Sequence, residues 1–216
     1  LVAAARATAA VATAFLDIVR AKGHVYETLV EMHKLGVLKA IIPEFGALEC
    51  LIAHDPFHSY TVDQHSLRGV RELERLRTGE FAGTLPHLTQ VMQEVMQPEL
   101  LFLGMMLHDV GKGHGHDHES RGARMMGEIA GRLGLNVDER AACEFLVQYH
   151  LLMSHLAQRR DVHDDQLVPA PGRLLYRGIE IEDLVNGFVA GGQPGFEELA
   201  ARAEGAHELR LGGPAP

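Results

Sequence analysis

The sequence predicts an all-α fold, and three observations lead there. Apolar residues recur at helical intervals in stretch after stretch. Glycines at 23, 36 and 134 supply stops where several of those stretches end. No strand signal rivals the helical ones, and no internal repeat is visible.

Taken in order, residues 2–21 are Ala-rich and favour helix, and Gly23 breaks it. From His24 to Leu35, Val25, Leu29, Met32 and Leu35 share one helical face, with Gly36 as the stop. Pro43 and Gly46 bracket a turn before a short apolar run over 47–53. His54-Asp55-Pro56-Phe57-His58 reads as a loop, because Pro56 disfavours helix at Asp55. The next helix runs from Thr61 to Arg77. Val62, Val70, Leu73 and Leu76 form its stripe, His65 lies on the stripe's edge, and Thr61 or Asp63 can cap its start. Gly79, Gly83 and Pro86 mark a loop, followed by a short helix over 88–96. Residues 98–107 (PELLFLGMML) are apolar on nearly all sides, which suits a helix buried in a core with Pro98 in its first turn. Residues 119–133 turn Gly122, Met126, Ile129, Ala130 and Leu133 inward. Asn136 with Glu139 reads as a capping box, and Ala142, Phe145, Leu146 and Tyr149 form the face of the helix it starts. Pro169-Ala170-Pro171-Gly172 marks a break. The Gly- and Pro-rich extension beyond it carries amphipathic pieces at 181–185 and 196–203 and is expected to be poorly structured.

Composition narrows the function. The 216 residues are 46% hydrophobic and 23% charged, enough for one substantial core. A formal net charge of -9 argues against nucleic acid as a partner. No window is apolar and long enough to span a bilayer, so no membrane association is expected. Cys50 and Cys143 fit no CxxC pattern and read as buried thiols in a reducing cytoplasm. The chain begins at Leu1 rather than Met, which suggests a fragment. Its Ala-rich start carries Arg6, Asp17 and Arg20 and lacks the layout of a signal peptide.

Chemistry concentrates at Leu107-His108-Asp109-Val110-Gly111-Lys112 and the His-rich loop after it, which holds His114, His116 and His118. An adjacent His-Asp pair at the end of a rigid apolar helix is a metal-ligand arrangement, and Gly111 and Gly113 let the backbone turn sharply there. Imidazole and carboxylate together suit Zn, Mn, Fe or Mg. The dipeptide alone carries little information, and the loop also fits a solvated His tract. The weight comes from His65, His118 and His150, each on a different element, as a site in the core of a helical bundle requires. His65 has an ordinary alternative: a His at the rim of a core stripe is more often a hydrogen-bonded core residue. His33, His87 and His207 read as surface residues.

The series His65, His108-Asp109, His118, His150 resembles the HD superfamily of metal-dependent phosphohydrolases. HDPFHSYTVDQHSL (54–67), LHDVGKGHGHDHESRGA (107–123) and YHLLMSHLAQRRD (149–161) look like the uridylyl-removing domain of the bifunctional PII uridylyltransferase/uridylyl-removing enzymes. MHKLGVLKAIIPEFG (32–46) resembles the stretch before that domain, so the resemblance covers roughly residues 15–168. It implies an HD-domain helical bundle, one or two divalent ions (Mn, Mg, Fe or Zn), and a PII-type signalling protein as substrate and partner. It also implies hydrolysis of a uridylyl-tyrosine phosphodiester, releasing UMP. His65, His108, Asp109, His118 and His150 take the metal-ligand positions, with Asp109 placed to bridge a His65/His108 ion and a His118/His150 ion. Asp109, Lys112 and Arg159 are the expected catalytic residues, the two cations stabilising charge on phosphoryl oxygens. Lys112 as a solvated loop residue, and Arg159 and Arg160 as a surface pair, are the alternatives. His54 and His58 either orient the ligands or make structural hydrogen bonds. His114 and His116 are expected in an exposed loop.

The implied layout is residues 1–45 as N-terminal helices, 46–168 as the HD phosphohydrolase domain, and 169–216 as an extension of separate role. The sequence also departs from the family pattern. Tyr149 stands where the family often has the first of two His, and the sequence leaves the pattern after Val168. No clear match exists for the Asp that closes HD sites; Asp161, Asp164, Asp165 and Asp183 are the substitutes at hand. These departures keep two other readings open: a catalytically degenerate HD module acting as a sensor or interaction domain, and an HD phosphohydrolase acting on a nucleotide. Transferase activity is not assignable to these residues.

Overall fold

Helix α7, Pro98–Leu107, is the centre of the fold, and its composition explains why. Leu100, Leu101, Phe102, Leu103, Met106 and Leu107 are all buried, so the helix has no solvent face and must be wrapped by others. A computed structural model describes residues 8–52, 60–113 and 117–151. Among them the order is α1 (Ala9–Arg20), α2 (Val25–Lys34), α3 (Val37–Ile41), α4 (Pro43–Gly46), α5 (Val62–Arg77), α6 (Pro86–Glu94), α7, α8 (His118–Arg132) and α9 (Val137–Gln148). No strand occurs among the described residues, in keeping with the all-α expectation. Residues 53–59, expected as a loop in part, the His tract 114–116 and the whole extension 169–216 lie outside the described residues.

Helices α1, α5 and α9 pack on α7, α2 packs on α5, and α8 lies along α9. One apolar core runs through all of them, with Phe15 of α1, Phe45 of α4 and Phe102 of α7 each almost fully buried. Burying one such side chain is worth about 1.5–3 kcal/mol. Close approach is bought with small residues. Gly104 of α7 faces Leu146 of α9, and Gly69 of α5 faces Met105 of α7; a methyl at either position would collide with its neighbour.

Several helix ends follow their sequence signals. Thr8 caps α1 through its hydroxyl, which accepts from the Val11 N–H. The Asn136/Glu139 capping box forms in full at α9, at 3.0 and 2.8 Å. Helix α2 differs: His24 precedes it in a left-handed conformation and caps nothing. Its first amides instead donate to Glu74 of α5, Val25 to Oε1 at 2.8 Å and Tyr26 to Oε2 at 2.9 Å. A carboxylate from a neighbouring helix thus satisfies the positive end of α2.

Four expectations need correction. Leu35 is exposed, because α2 ends at Lys34 and Gly36 starts the new helix α3. The turn expected at Pro43 and Gly46 is itself a one-turn helix, α4. The inward face of α9 is Ala142, Cys143, Leu146 and Val147, rotated from the one expected; Phe145 and Tyr149 pack on each other at its edge, 4.8 Å apart. Of the two thiols expected to be buried, only Cys143 is, and Cys50 is exposed.

Candidate metal centre

Helix α5 carries His65 on the rim of its buried stripe, where it meets the end of α7. Helix α7 ends at His108, and Asp109 follows in a tight turn closed by the Lys112 amide donating to the Asp109 carbonyl at 2.9 Å. His118 is the first residue of α8, and His150 lies just past the end of α9. Four elements therefore deliver these five side chains, and they converge. The His65 and His108 rings are 5.1 Å apart, His108 and His150 5.1 Å, and His118 and His150 5.6 Å.

The centre of the site is buried and held by the backbone. Asp109 is 1% exposed, His150 3% and His108 7%. His108 Nδ1 lies 2.7 Å from the Met105 carbonyl oxygen, and His150 Nδ1 2.7 Å from that of Val147. A carbonyl only accepts, so each Nδ1 carries its proton, and each Nε2 lone pair is left facing the centre. The two oxygens of Asp109 address different neighbours. His108 Nε2 (3.2 Å) and Lys112 Nζ (2.8 Å) approach Oδ2, while His150 Nε2 (3.6 Å) and His118 Nε2 (3.9 Å) approach Oδ1.

The imidazole approaches to Oδ1 are not aligned hydrogen bonds. Both Asp109 oxygens and the Nε2 atoms of His118 and His150 are buried without a hydrogen-bond partner. Buried polar groups are normally satisfied, so four orphaned atoms aimed at one another ask for something between them. The donors of His65, His108 and Asp109 lie within 4.8 Å of one another, as do those of Asp109, His118 and His150. The donor set and its orphaned atoms thus fit a divalent cation, with Asp109 common to both groups.

Electrostatics agree with that use at Asp109 and His150. Burial pushes the Asp109 carboxyl up, but the adjacent His108 and Lys112 outweigh it and hold it well below the usual carboxylate range. Burial works against charge on His108; the Asp109 carboxylate overcomes it and raises that ring, so a cation there has to displace the proton the carboxylate favours. Burial, reinforced by His108, lowers His150 to about 3, so its ring is neutral and able to ligate at neutral pH.

Gly111 sets how closely the turn approaches α8. A methyl on Gly111 would strike the His118 carbonyl oxygen and come within 2.7 Å of the Gly122 amide nitrogen. Gly111 serves close approach rather than the sharp turn expected of it; Gly113, at φ +86°, is the one that turns. Arg121 of α8 also donates to the Gly111 carbonyl at 3.3 Å.

The structure therefore brings together His65, His108, Asp109, Lys112, His118 and His150. Arg159, Arg160, His54, His58, His114, His116, His207 and the candidate closing residues Asp161, Asp164, Asp165 and Asp183 lie outside the described residues. Tyr149 packs on Phe145. His33, expected at the surface, is instead half-buried, with Nε2 2.9 Å from Oδ2 of the buried Asp63. Helix periodicity held the missed signal: Asp63 falls on the inward face of α5 beside Val70 and Ser66.

A helical bundle that closes imidazoles around a His-Asp pair defines a class, and this chain belongs to the HD domain family, whose profile matches residues 58–185. That match extends past Val168, where the sequence pattern was expected to end. The family and the donor set support a metal-dependent phosphohydrolase. Its curated relatives include bifunctional uridylyltransferase/uridylyl-removing enzymes. That of Ruegeria pomeroyi is 38% identical over 154 residues, covering 71% of this chain and 17% of the relative. That of Acinetobacter baumannii is 39% identical over 154 residues, again 71% of this chain and 17% of the relative. That of Azospirillum brasilense is 36% identical over 167 residues, 74% and 18%. The chain thus spans about a sixth of the length of these relatives.

Proposed function

We propose that this chain is a uridylyl-removing unit, which hydrolyses the phosphodiester joining UMP to a tyrosine of a PII-type signalling protein. The observation that supports it best is the buried cluster of orphaned donors around Asp109. The relatives whose names carry uridylyl-removing activity point to the particular ester.

His65, His108 and Asp109 would hold one divalent ion, and Asp109, His118 and His150 a second. When bound, such an ion supplies Lewis acidity at the phosphoryl group and lowers the pKa of water toward neutrality. The remaining work belongs to the protein. The Met105 and Val147 carbonyls fix two of the imidazoles in one tautomer and orientation. Lys112 keeps a positive charge 2.8 Å from the shared carboxylate, placed to offset negative charge that builds on the phosphoryl oxygens. The burial of His108, Asp109 and His150 strengthens each of these attractions. Arg159 is assigned the second stabilising cation on its sequence position alone. The hydrolytic unit is taken as residues 46–168, led in by 1–45, with 169–216 serving a separate role.

Purified chain supplied with Mn should hydrolyse bis-p-nitrophenyl phosphate and release UMP from uridylylated PII. His108→Ala and Asp109→Ala should each abolish both reactions. Metal-replete protein that turns over neither ester would overturn the proposal.

A further inference from the structure

Helix α5 carries four arginines, and three are committed to partners. Arg71 and Arg75 pair with Glu72, and Arg75 also with Glu80, at 2.7–2.8 Å. Arg77 donates to the carbonyls of Ala21 and Arg20, each at 2.9 Å. Arg68 has no carboxylate partner among the described residues; its guanidinium carbon lies 3.9 Å from the centroid of the Tyr60 ring. Tyr60 is 42% exposed, a large aromatic that is not drawn into the core.

The place of this pair along the helix matters. Val62, Ser66, Val70 and Leu73 are buried, His65 sits at the border of that face, and Arg68 lies one step further toward solvent. Residues three apart on a helix are neighbours, about 5–6 Å between Cβ atoms. Helical side chains lean toward the N-terminus, so the Arg68 guanidinium reaches back past the turn that holds His65, to Tyr60 just before the helix. A planar cation over an aromatic ring therefore neighbours His65 along α5. The other nearby cation, Lys112, is already drawn onto Asp109.

We propose that Arg68, held flat on Tyr60, is the subsite for the pyrimidine base of the substrate. This rests on the uridylyl-removing reading of the same centre. A guanidinium backed on one side by an aromatic ring offers its other planar face for a base to stack on. Arg68 is thus a specificity residue: it reads the nucleoside while the donor cluster holds the phosphate.

The test is equilibrium binding to the Mn-loaded chain of two probes, UMP and ribose 5-phosphate, which shares the sugar and phosphate but lacks the base. Arg68→Ala should weaken UMP about tenfold and leave ribose 5-phosphate within about twofold. Arg68→Lys, which keeps the charge but not the plane, should weaken UMP nearly as much, whereas Tyr60→Phe should bind UMP like wild type. Wild-type protein that fails to bind UMP, an Arg68→Ala variant with unchanged UMP affinity, or an equal loss for both probes would each overturn the assignment. Bis-p-nitrophenyl phosphate carries no base, so its turnover by wild-type protein reports on the hydrolytic centre separately.

Discussion

Cys143 and Cys50 are the same residue type in opposite surroundings, and their chemistry should differ accordingly. Burial, helped by Glu139, Glu144 and Glu99, pushes the Cys143 thiol up to about 12 from its ordinary value near 9. Between those values the unfolded chain gives up the proton and the folded protein keeps it. Stability should therefore fall as pH rises above about 9, and Cys143→Ala should flatten that decline in denaturant titrations run from pH 8 to 10.5. Iodoacetamide at pH 8.5 should modify Cys50 in the native protein and reach Cys143 only after unfolding, as read by intact mass. Gly111 gives a second prediction at this scale. Gly111→Ala must displace His118 or the turn carrying Asp109, so the variant should fold yet lose metal, measured by elemental analysis after dialysis. The sequence singled out His65, His108, Asp109, His118 and His150, whose donor atoms the structure brings together, because side chains able to ligate a metal are of a few chemical types. It did not announce the His33–Asp63 pair, because nothing local marks two residues from different helices as partners.

At the level of the element, helix ends carry much of the specificity. Glu74 on α5 serves as the cap of α2, a tertiary solution to a local problem. Glu74→Ala would leave two amides without acceptors in a mostly buried place and should cost about 1–3 kcal/mol in urea unfolding. Asn136→Ala removes a local capping box and should cost about 1 kcal/mol. Helices α1, α2, α5, α7, α8 and α9 were legible in the sequence because their periodicity is long, or, for α7, because an unbroken apolar run admits no solvent face. Helix α3 was not, since five residues are too few for a period to emerge. The face of α9 was misjudged for a different reason. The large aromatics Phe145 and Tyr149 look like core, yet α9 approaches α7 and α8 closely through Leu146 against Gly104 and Val147 against Gly122, which leaves them at the edge.

For the whole molecule, the convergence of orphaned donors predicts coupling between metal and stability. A ligand that binds only the folded state stabilises it by about 2.7 kcal/mol at one hundred times its dissociation constant. Added Mn should thus raise the melting temperature, chelator should reverse the rise, and His150→Ala should abolish most of it; calorimetry with and without metal checks all three. Removing His150 also takes an imidazole out of a neutral, buried position, so the metal-free variant is the necessary baseline. The packing that makes this possible is tertiary. Which helices touch, and that α7 lies at the middle, follows from surface that must be hidden, and only the apolar run at 98–107 hinted at it beforehand.

The peptide oxygens of Met105 and Val147 have an evolutionary consequence. No codon change deletes a main-chain carbonyl, so the tautomers of His108 and His150 are insulated from drift at the positions that fix them. Mutation can blunt these two imidazoles only by replacing them or by bending the helix ends that carry them. Descendants of this chain can therefore change residues 105 and 147, within what packing on Gly69 and Gly122 admits, while keeping the same ring orientation.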